Sequence, residues 1–392
     1  MVRMTVPSLL DLAVAERDAY LTTLEGLVTL ESPTRDKLLC DRFADHLAAL
    51  LGHDGWQVDR RVLEEAGDVL VARLEADAGP ATLLLCHYDT VWPSGTLARM
   101  PFRREGDRVH GPGALDMKAG IATAVHAHRL IGQAGARLRG PLMLLVTSDE
   151  ETGSHHSRAL IERLAREHDR VLVLEPGRDD GALKVGRKGV GQIHLRLTGR
   201  SAHAGNNPED GASALRELAH LLLYVEDLAD GAAGTTVNLT VASGGTTGNV
   251  IAEQAEAEVD LRVLVASEAD RVQRALELYE PRDERVAVRI TGGLNRPPLE
   301  RTQANEALWN EARARGAALG LRLEGAVVGG GSDGSFTSAL GLATLDGLGS
   351  VGAGPHARHE HIRVAPTLER LALLAALLSE TGSSASEGPV LG

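Results

Sequence analysis

Residues 83–91 read LLLCHYDTV, an apolar run ending in His87 and Asp89 with one residue between them. In an extended strand alternate side chains share a face, so imidazole and carboxylate stand side by side where the strand leaves the core. A carboxylate on one ring nitrogen fixes the tautomer and frees the other nitrogen for a metal ion. The plainer reading is a strand-end histidine paired with an aspartate in a turn. More acids recur in the same setting. TSDEETGS offers Asp149, Glu150 and Glu151, VLVLEP ends in Glu175, and GPGALDMKAG sets Asp116 just ahead of a helix-like stretch. Any one of these would pass for a helix cap or a solvated loop charge. Gathered on one rim they would repel, because unit charges roughly 4 Å apart cost about 4 kcal/mol at an effective dielectric of 20. Lys118 is the only lysine close in sequence, so a divalent metal is the economical counter-charge. Carboxylate with imidazole suits zinc, manganese or cobalt. A late segment, GAGPHARHEHI (352–362), adds His356, His359 and His361.

Such groups need a scaffold that brings them to one rim. Between about residues 20 and 190, short fully apolar runs (LLLC, PLMLLVTS, VLVLEP) alternate with helix-like stretches such as KAGIATAVHAHRLI and SRALIERLAREH. That grammar predicts a parallel sheet covered on both faces, with ligands beyond the carboxyl ends of its strands. After Gly189 the runs QIHLRLT, TVNLTV, EAEVDLRV and RVAVRI alternate apolar with polar residues, as strands with one wet face do. Two helix-like segments, 212–228 and 267–279, complete a β-α-β-β-α-β order, that of a ferredoxin-like unit. An α/β style resumes at ALWNEARARGAALGL, so the expected division is 1–188 with 297–392 as one discontinuous domain and 189–296 as an insertion. The glycine-rich end, TGSSASEGPVLG, reads as a frayed tail.

The 392 residues favour two domains, and the formal net charge of −13 argues against nucleic acid or an anionic membrane as partner. No apolar run is long enough to span a bilayer, and the N-terminus makes a poor signal peptide but a good helix start. Cys40 and Cys86 form no disulfide framework, which suits a reducing, cytoplasmic setting.

The stretches CHYDTV, GPGALDMKAG, TSDEETGS, LEP, GRSAHAG, GNVIAEQAEAEVDLRV, GGGSDGS and GAGPH run in order through residues 83–361. In this the chain resembles the acetylornithine deacetylases, succinyl-diaminopimelate desuccinylases and glutamate carboxypeptidases, the di-zinc aminoacylase-like peptidases. HYDTVWPSGTLARMPF is most similar to the glutamate carboxypeptidase branch. The resemblance implies an α/β fold in which a mostly parallel-sheet di-zinc domain carries an inserted ferredoxin-like lid and dimerisation domain. It implies two zinc ions, with cobalt or manganese as substitutes: His87 and Glu175 on one, Glu151 and His356 on the other, and Asp116 between them with a cis bond to Met117. Asp89 would orient His87, and Glu150 would act as general base. His203 of SAHAG would donate to the oxyanion, in this family commonly at the partner subunit's site, so a homodimer is implied. The substrate would be a small peptide or N-acyl amino acid with a free carboxylate. Arg262 would pair with that carboxylate, with Asn249, Ser332, Arg187 and Arg296 as further contacts. In GRKG (186–189) Arg187 and Lys188 stand where the branch has smaller polar residues.

Three function classes are in play. The first is a two-metal exopeptidase or amidohydrolase, C-terminal glutamate favoured, with an N-acyl-amino-acid deacylase or dipeptidase as the variant within that chemistry. A non-catalytic metal-binding protein on the same fold has no need of Glu150 beside the ligands. A nucleotide-binding α/β protein would need GxGxxG at the first helix or GxxxxGK[ST], and neither occurs.

Overall fold

The computed structural model describes residues 8–76 and 78–380; the tail expected to fray, 381–392, lies outside them. The chain divides into two compact units, one of residues 1–186, 301–327 and 332–392, the other of residues 187–300 with 328–331.

The first unit is built on a six-stranded sheet, in spatial order Gln57–Arg61, Val69–Leu74, Leu142–Thr147, Thr82–His87, Arg170–Val173 and Ala343–Leu345. The three pairings from Leu142–Thr147 to Ala343–Leu345 are parallel. Gln57–Arg61 and Val69–Leu74 join antiparallel at one edge, so the sheet is mostly parallel, as expected. Gln57–Arg61 carries Asp59, Arg60 and Arg61, charges that discourage further pairing at an edge. The central strands are apolar throughout because both faces are covered. Leu84, Cys86, Leu144 and Val146 pack with helices Lys37–His53, Ala119–Gln133 and Val364–Leu378, while Leu83, Leu85, Leu145 and Val173 pack with Arg158–Ala165 and Phe336. Cys86 thus faces the core, opposite to His87, as the alternation requires. A small antiparallel sheet of Gly352–Ala353, His361–Arg363, Arg108–His110 and Arg103–Glu105 was not foreseen from sequence.

The second unit has four antiparallel strands in the order Thr236–Gly244, Gln254–Val263, Gly189–Thr198 and Ala287–Arg296, with helices Ala214–Glu226 and Ala266–Glu277. Numbered along the chain the strands lie 2-3-1-4, the ferredoxin-like arrangement. Ile193, Leu195 and Leu197 pack under the helix residues Leu218, Leu221, Val272 and Leu276; the alternate residues His194, Arg196 and Thr198 are exposed. The last strand runs past the expected end at Ile290 and through two glycines. Gly292 has φ 94°, and a Cβ there would lie 2.1 Å from the Gln192 carbonyl oxygen, so only glycine keeps that strand in register.

Candidate metal centre

The strand Thr82–His87 delivers a buried imidazole to the rim of the sheet. His87 Nδ1 lies 3.3 Å from Asp89 Oδ1 and 3.0 Å from the Asp89 carbonyl oxygen. Its Nε2 points the other way, 3.3 Å from Asp116 Oδ1 and 3.4 Å from Glu175 Oε1. Asp116 turns its second oxygen to a different imidazole, with Oδ2 3.3 Å from His356 Nε2. That same nitrogen is 3.1 Å from Glu151 Oε2. One carboxylate therefore stands between two histidines, each with another glutamate at its side.

Asp89 is fully buried and does more than face His87. Its Oδ1 accepts the Glu150 N–H and its Oδ2 the Glu151 N–H, both at 3.2 Å, and Oδ2 also takes the Thr34 hydroxyl at 2.8 Å. The short helical turn Glu150–Thr152 is thus fixed to the segment that follows His87. The neighbouring Asp149 is spent on its own loop, accepting from the His156 N–H at 2.7 Å and the Ser157 hydroxyl at 2.5 Å. Spacing alone does not separate these three consecutive acids; in the structure the turn sends Glu150 and Glu151, not Asp149, toward the cluster.

Asp116 sits in a loop that enters helix Ala119–Gln133, and its peptide bond to Met117 is cis. Lys118, the nearby lysine, is buried and donates from Nζ to the Leu30 carbonyl at 2.7 Å; burial pulls its amine down to about 7. Glu360 was passed over in the sequence reading. Its carboxylate is buried and accepts the N–H groups of Gly113, Leu115 and Asp116 and the Trp92 indole N–H. Backbone donors leave no trace in a sequence, so no motif marks such a residue. Of the late histidines, His356 reaches the acids. His361 lies on the small sheet, with Nδ1 2.9 Å from the His359 carbonyl and its ring 5.1 Å from that of His110, while His359 is exposed.

Ligand atoms of His87, Glu150 and Glu175 lie within 4.8 Å of one another, and so do those of His87, Asp116 and Glu151. The donor set fits divalent ions. The ion-pair partners of Asp116 and Glu151 among the described residues are imidazoles, not lysine or arginine. Glu151 Oε1 is buried with no hydrogen-bond partner among those residues, a costly position for an anionic oxygen unless a cation meets it. The charges also hold the imidazoles protonated in the metal-free protein. Asp116 and Glu151 push His356 up to about 10. Burial works against a charged His87, yet Asp116, Asp89 and Glu175 outweigh it and raise it well above the ordinary value. Asp116 is held far below the carboxylate range, burial being overcome by His356 and His87.

In the second unit, His203 is exposed and its Nδ1 accepts the N–H groups of Gly205 and Asn206, both at 3.1 Å. Its neutral form therefore carries the proton on Nε2, a free donor. Exposed Asn249 pairs through its carbonyl with the Ala204 N–H. Arg262 grips Asp260, with Nη2 at 2.8 Å, and reaches the Gly329 carbonyl at 3.3 Å. Buried Arg187 donates to the carbonyls of Gly330 and Gly331 at 3.1 and 3.0 Å, and Arg296 is buried. Ser332, in the first unit, is fully buried with its hydroxyl 2.6 Å from Asp346 Oδ2, so its side chain is turned inward.

Residues 83–380 match the model of the peptidase family M20/M25/M40. The chain belongs to this family. It is 32% identical to carboxypeptidase G2 of Pseudomonas sp. (strain RS-16), over 95% of this chain and 91% of the relative. It is also 32% identical to the N-acetyl-L-citrulline deacetylase of Xanthomonas campestris pv. campestris, over 64% of this chain and 69% of that one. The fold is like that of the aminopeptidase PepT from Bacillus cereus ATCC 10987, with a TM-score of 0.80 at 21% identity over 92% and 98% of the two chains. As a family member the chain is a metallohydrolase of peptide or related amide bonds, and its acid–imidazole cluster fits a dinuclear site. Among the described residues no helix is long and apolar enough to cross a membrane.

Proposed function

We propose that this enzyme is a two-zinc exopeptidase that cleaves an amide beside a free carboxylate and prefers a C-terminal glutamate. The observation that carries the two-metal reading is Asp116, whose two oxygens face two different imidazoles. On this reading His87 and Glu175 hold one ion, Glu151 and His356 the other, and Asp116 both. Two imidazoles among carboxylates favour zinc, with cobalt or manganese able to substitute. When bound, the ions polarise the substrate carbonyl and acidify an attacking water. Glu150 takes the proton from that water on its carboxylate and returns it to the departing amine nitrogen. Asp89 keeps His87 and Glu150 in register through the bonds described above. His203 Nε2–H donates to the amide oxygen as charge builds there. Arg262 receives the substrate carboxylate, exchanging it for Asp260, with Asn249, Ser332, Arg187 and Arg296 as secondary contacts; these roles rest on resemblance. The carboxypeptidase reading is supported by the likeness to carboxypeptidase G2 along nearly the whole chain, and the glutamate preference rests on the resemblance of residues 87–102 to the glutamate carboxypeptidase branch.

We assign the metal ligands and Glu150 to the first unit, and lid and dimer contacts, with His203 and Arg262, to the second. A homodimer is supported by the edge strand Thr236–Gly244, where Leu239 and Val241 are 49% and 54% exposed, and by Leu223, 62% exposed on helix Ala214–Glu226. A cytoplasmic location is supported by two free, buried cysteines.

The test is hydrolysis of N-acyl-glutamates, other N-acyl amino acids and dipeptides by zinc-loaded and metal-free protein. Zinc-dependent release of glutamate ahead of other residues is expected. Release of another amino acid would overturn the preference and favour the deacylase reading, which the identity to N-acetyl-L-citrulline deacetylase supports. Absence of zinc-dependent cleavage across the panel would overturn both.

A further inference from the structure

Glu360 has no place in the chemistry above, yet its carboxylate ties together the segments that carry the metal ligands. Its Oε1 accepts from Leu115 N at 2.9 Å and Asp116 N at 3.1 Å. Its Oε2 accepts from Gly113 N at 3.0 Å and Trp92 Nε1 at 2.9 Å. Four N–H donors engage both carboxylate oxygens, although burial outweighs them and pushes the Glu360 carboxyl up to about 7. The loop's own backbone bonds take Ala114 N, to Gly111 O, and Lys118 N, to Gly113 O, while the Gly113, Leu115 and Asp116 N–H groups go to Glu360. One of these belongs to Asp116 itself, so Glu360 holds the backbone from which the shared carboxylate hangs. Trp92 follows His87 by five residues in the same segment.

Glu360 also closes the turn that directly follows the one presenting His356, and the two share Ala357. Ala357 N bonds to Gly354 O at 3.0 Å and Glu360 N to Ala357 O at 2.8 Å. Inside the first turn, Gly354–Ala357, His356 has φ 61°, a left-handed conformation unfavourable for a residue with a side chain, so the turn must be held from outside. The Glu360 side chain, buried against the Asp116 loop, is such an anchor. His87 and Glu175 are placed differently, one ending a central strand and the other two residues beyond one.

We propose that Glu360 is a positioning residue for the dinuclear centre: it sets Asp116 against His356 and thereby the affinity of the ion held by Asp116, Glu151 and His356. The ion at His87 and Glu175 depends on it much less. This rests on the two-metal reading.

The test is zinc titration of the full-length protein against a chromophoric chelator, resolving the two binding steps, alongside melting of the metal-free proteins. Glu360→Gln keeps the size of the side chain but sets an amide NH2 against one pair of N–H donors. One step, that of the ion held by Asp116, Glu151 and His356, should lose about 10–100-fold in affinity, the usual effect of removing a partner that orients a ligand. The other step should stay within about threefold, and the metal-free melt should be unchanged. Trp92→Phe removes one donor and carries the test if Glu360→Gln fails to fold; a loss of about threefold or more confined to one step is expected. Wild-type affinities in both steps would overturn the proposal. So would an equal loss in both steps with a lowered metal-free melt, since Glu360 would then be only a structural support. Wild-type protein that takes up fewer than two ions would instead refute the two-metal reading, and this inference with it.

Discussion

Loading zinc into the metal-free protein should expel protons in a number fixed by the charges around the two imidazoles. Asp116 and Glu151 push His356 up to about 10, so at pH 8 it is about 99% protonated, against about 3% for an ordinary imidazole of pKa about 6.5. His87 is raised in the same direction by Asp116, Asp89 and Glu175, despite its burial. Zinc binds only the neutral ring. Filling both sites at pH 8 therefore releases about one proton from His356, a further share from His87, and up to about one more if a bound water is acidified to a pKa of about 7. Unperturbed histidines would leave a total of about one or fewer. The apparent affinity of the ion held by His356 should rise about tenfold, or about 1.4 kcal/mol, per pH unit from pH 7 to 9. The same pairings stabilise the metal-free fold fully below pH 6.5, and for His356 that contribution is lost as pH climbs through about 10. Calorimetric titrations at pH 8 in buffers of different ionisation enthalpy count the protons directly. A release of one or fewer would refute the argument that the carboxylates hold both rings charged.

Glu150→Gln should retain both zinc ions and lose about 10²–10⁴-fold in kcat, as expected for a general base. Loss of an ion with the activity would make Glu150 a ligand, which its closeness to His87 and Glu175 permits. In the second unit, buried Glu217 accepts from the Tyr279 hydroxyl at 2.7 Å and from the N–H groups of Arg282 and Asp283. Glu217→Gln should cost about 1–3 kcal/mol in urea unfolding at pH 7. Burial raises the Glu217 carboxyl but these donors outweigh it and leave it below its ordinary value of 4.5. The deficit should therefore hold above pH 4.5 and shrink as pH falls below it; a deficit independent of pH would contradict the charge argument. Leu239→Lys with Val241→Lys should convert a dimer to a monomer in sedimentation, whereas an unchanged sedimentation coefficient would place any dimer contact elsewhere.

What sequence could reveal about this molecule follows from which atoms make the contacts. The central strands were legible because burial on both faces demands unbroken apolar runs such as LLLC and LMLLVT, and each run stops where a polar group begins the rim. The inserted unit was legible by alternation, down to its β-α-β-β-α-β order, except where the last strand continues through Gly292 and Gly293. There backbone crowding selects a residue type that otherwise reads as a break. The strands Arg103–Glu105 and His361–Arg363 are three residues long, and several of their residues are charged, so neither period nor hydrophobicity marks them. The same division runs through the site. His87, Asp116, Glu151, Glu175 and His356 offer side-chain atoms, and side chains are what a sequence spells. The groups that aim them are largely main-chain: the Glu150 and Glu151 N–H groups on Asp89, and the Gly113, Leu115 and Asp116 N–H groups on Glu360. Every non-proline residue carries such a donor, so its use depends on φ and ψ rather than on residue type. Asp89 is marked by a histidine on the same strand face. Glu360 makes three such bonds to one loop, against two from Asp89. Yet its neighbours His359 and His361 say nothing of that loop, whose nearest donor lies 244 residues away in the chain.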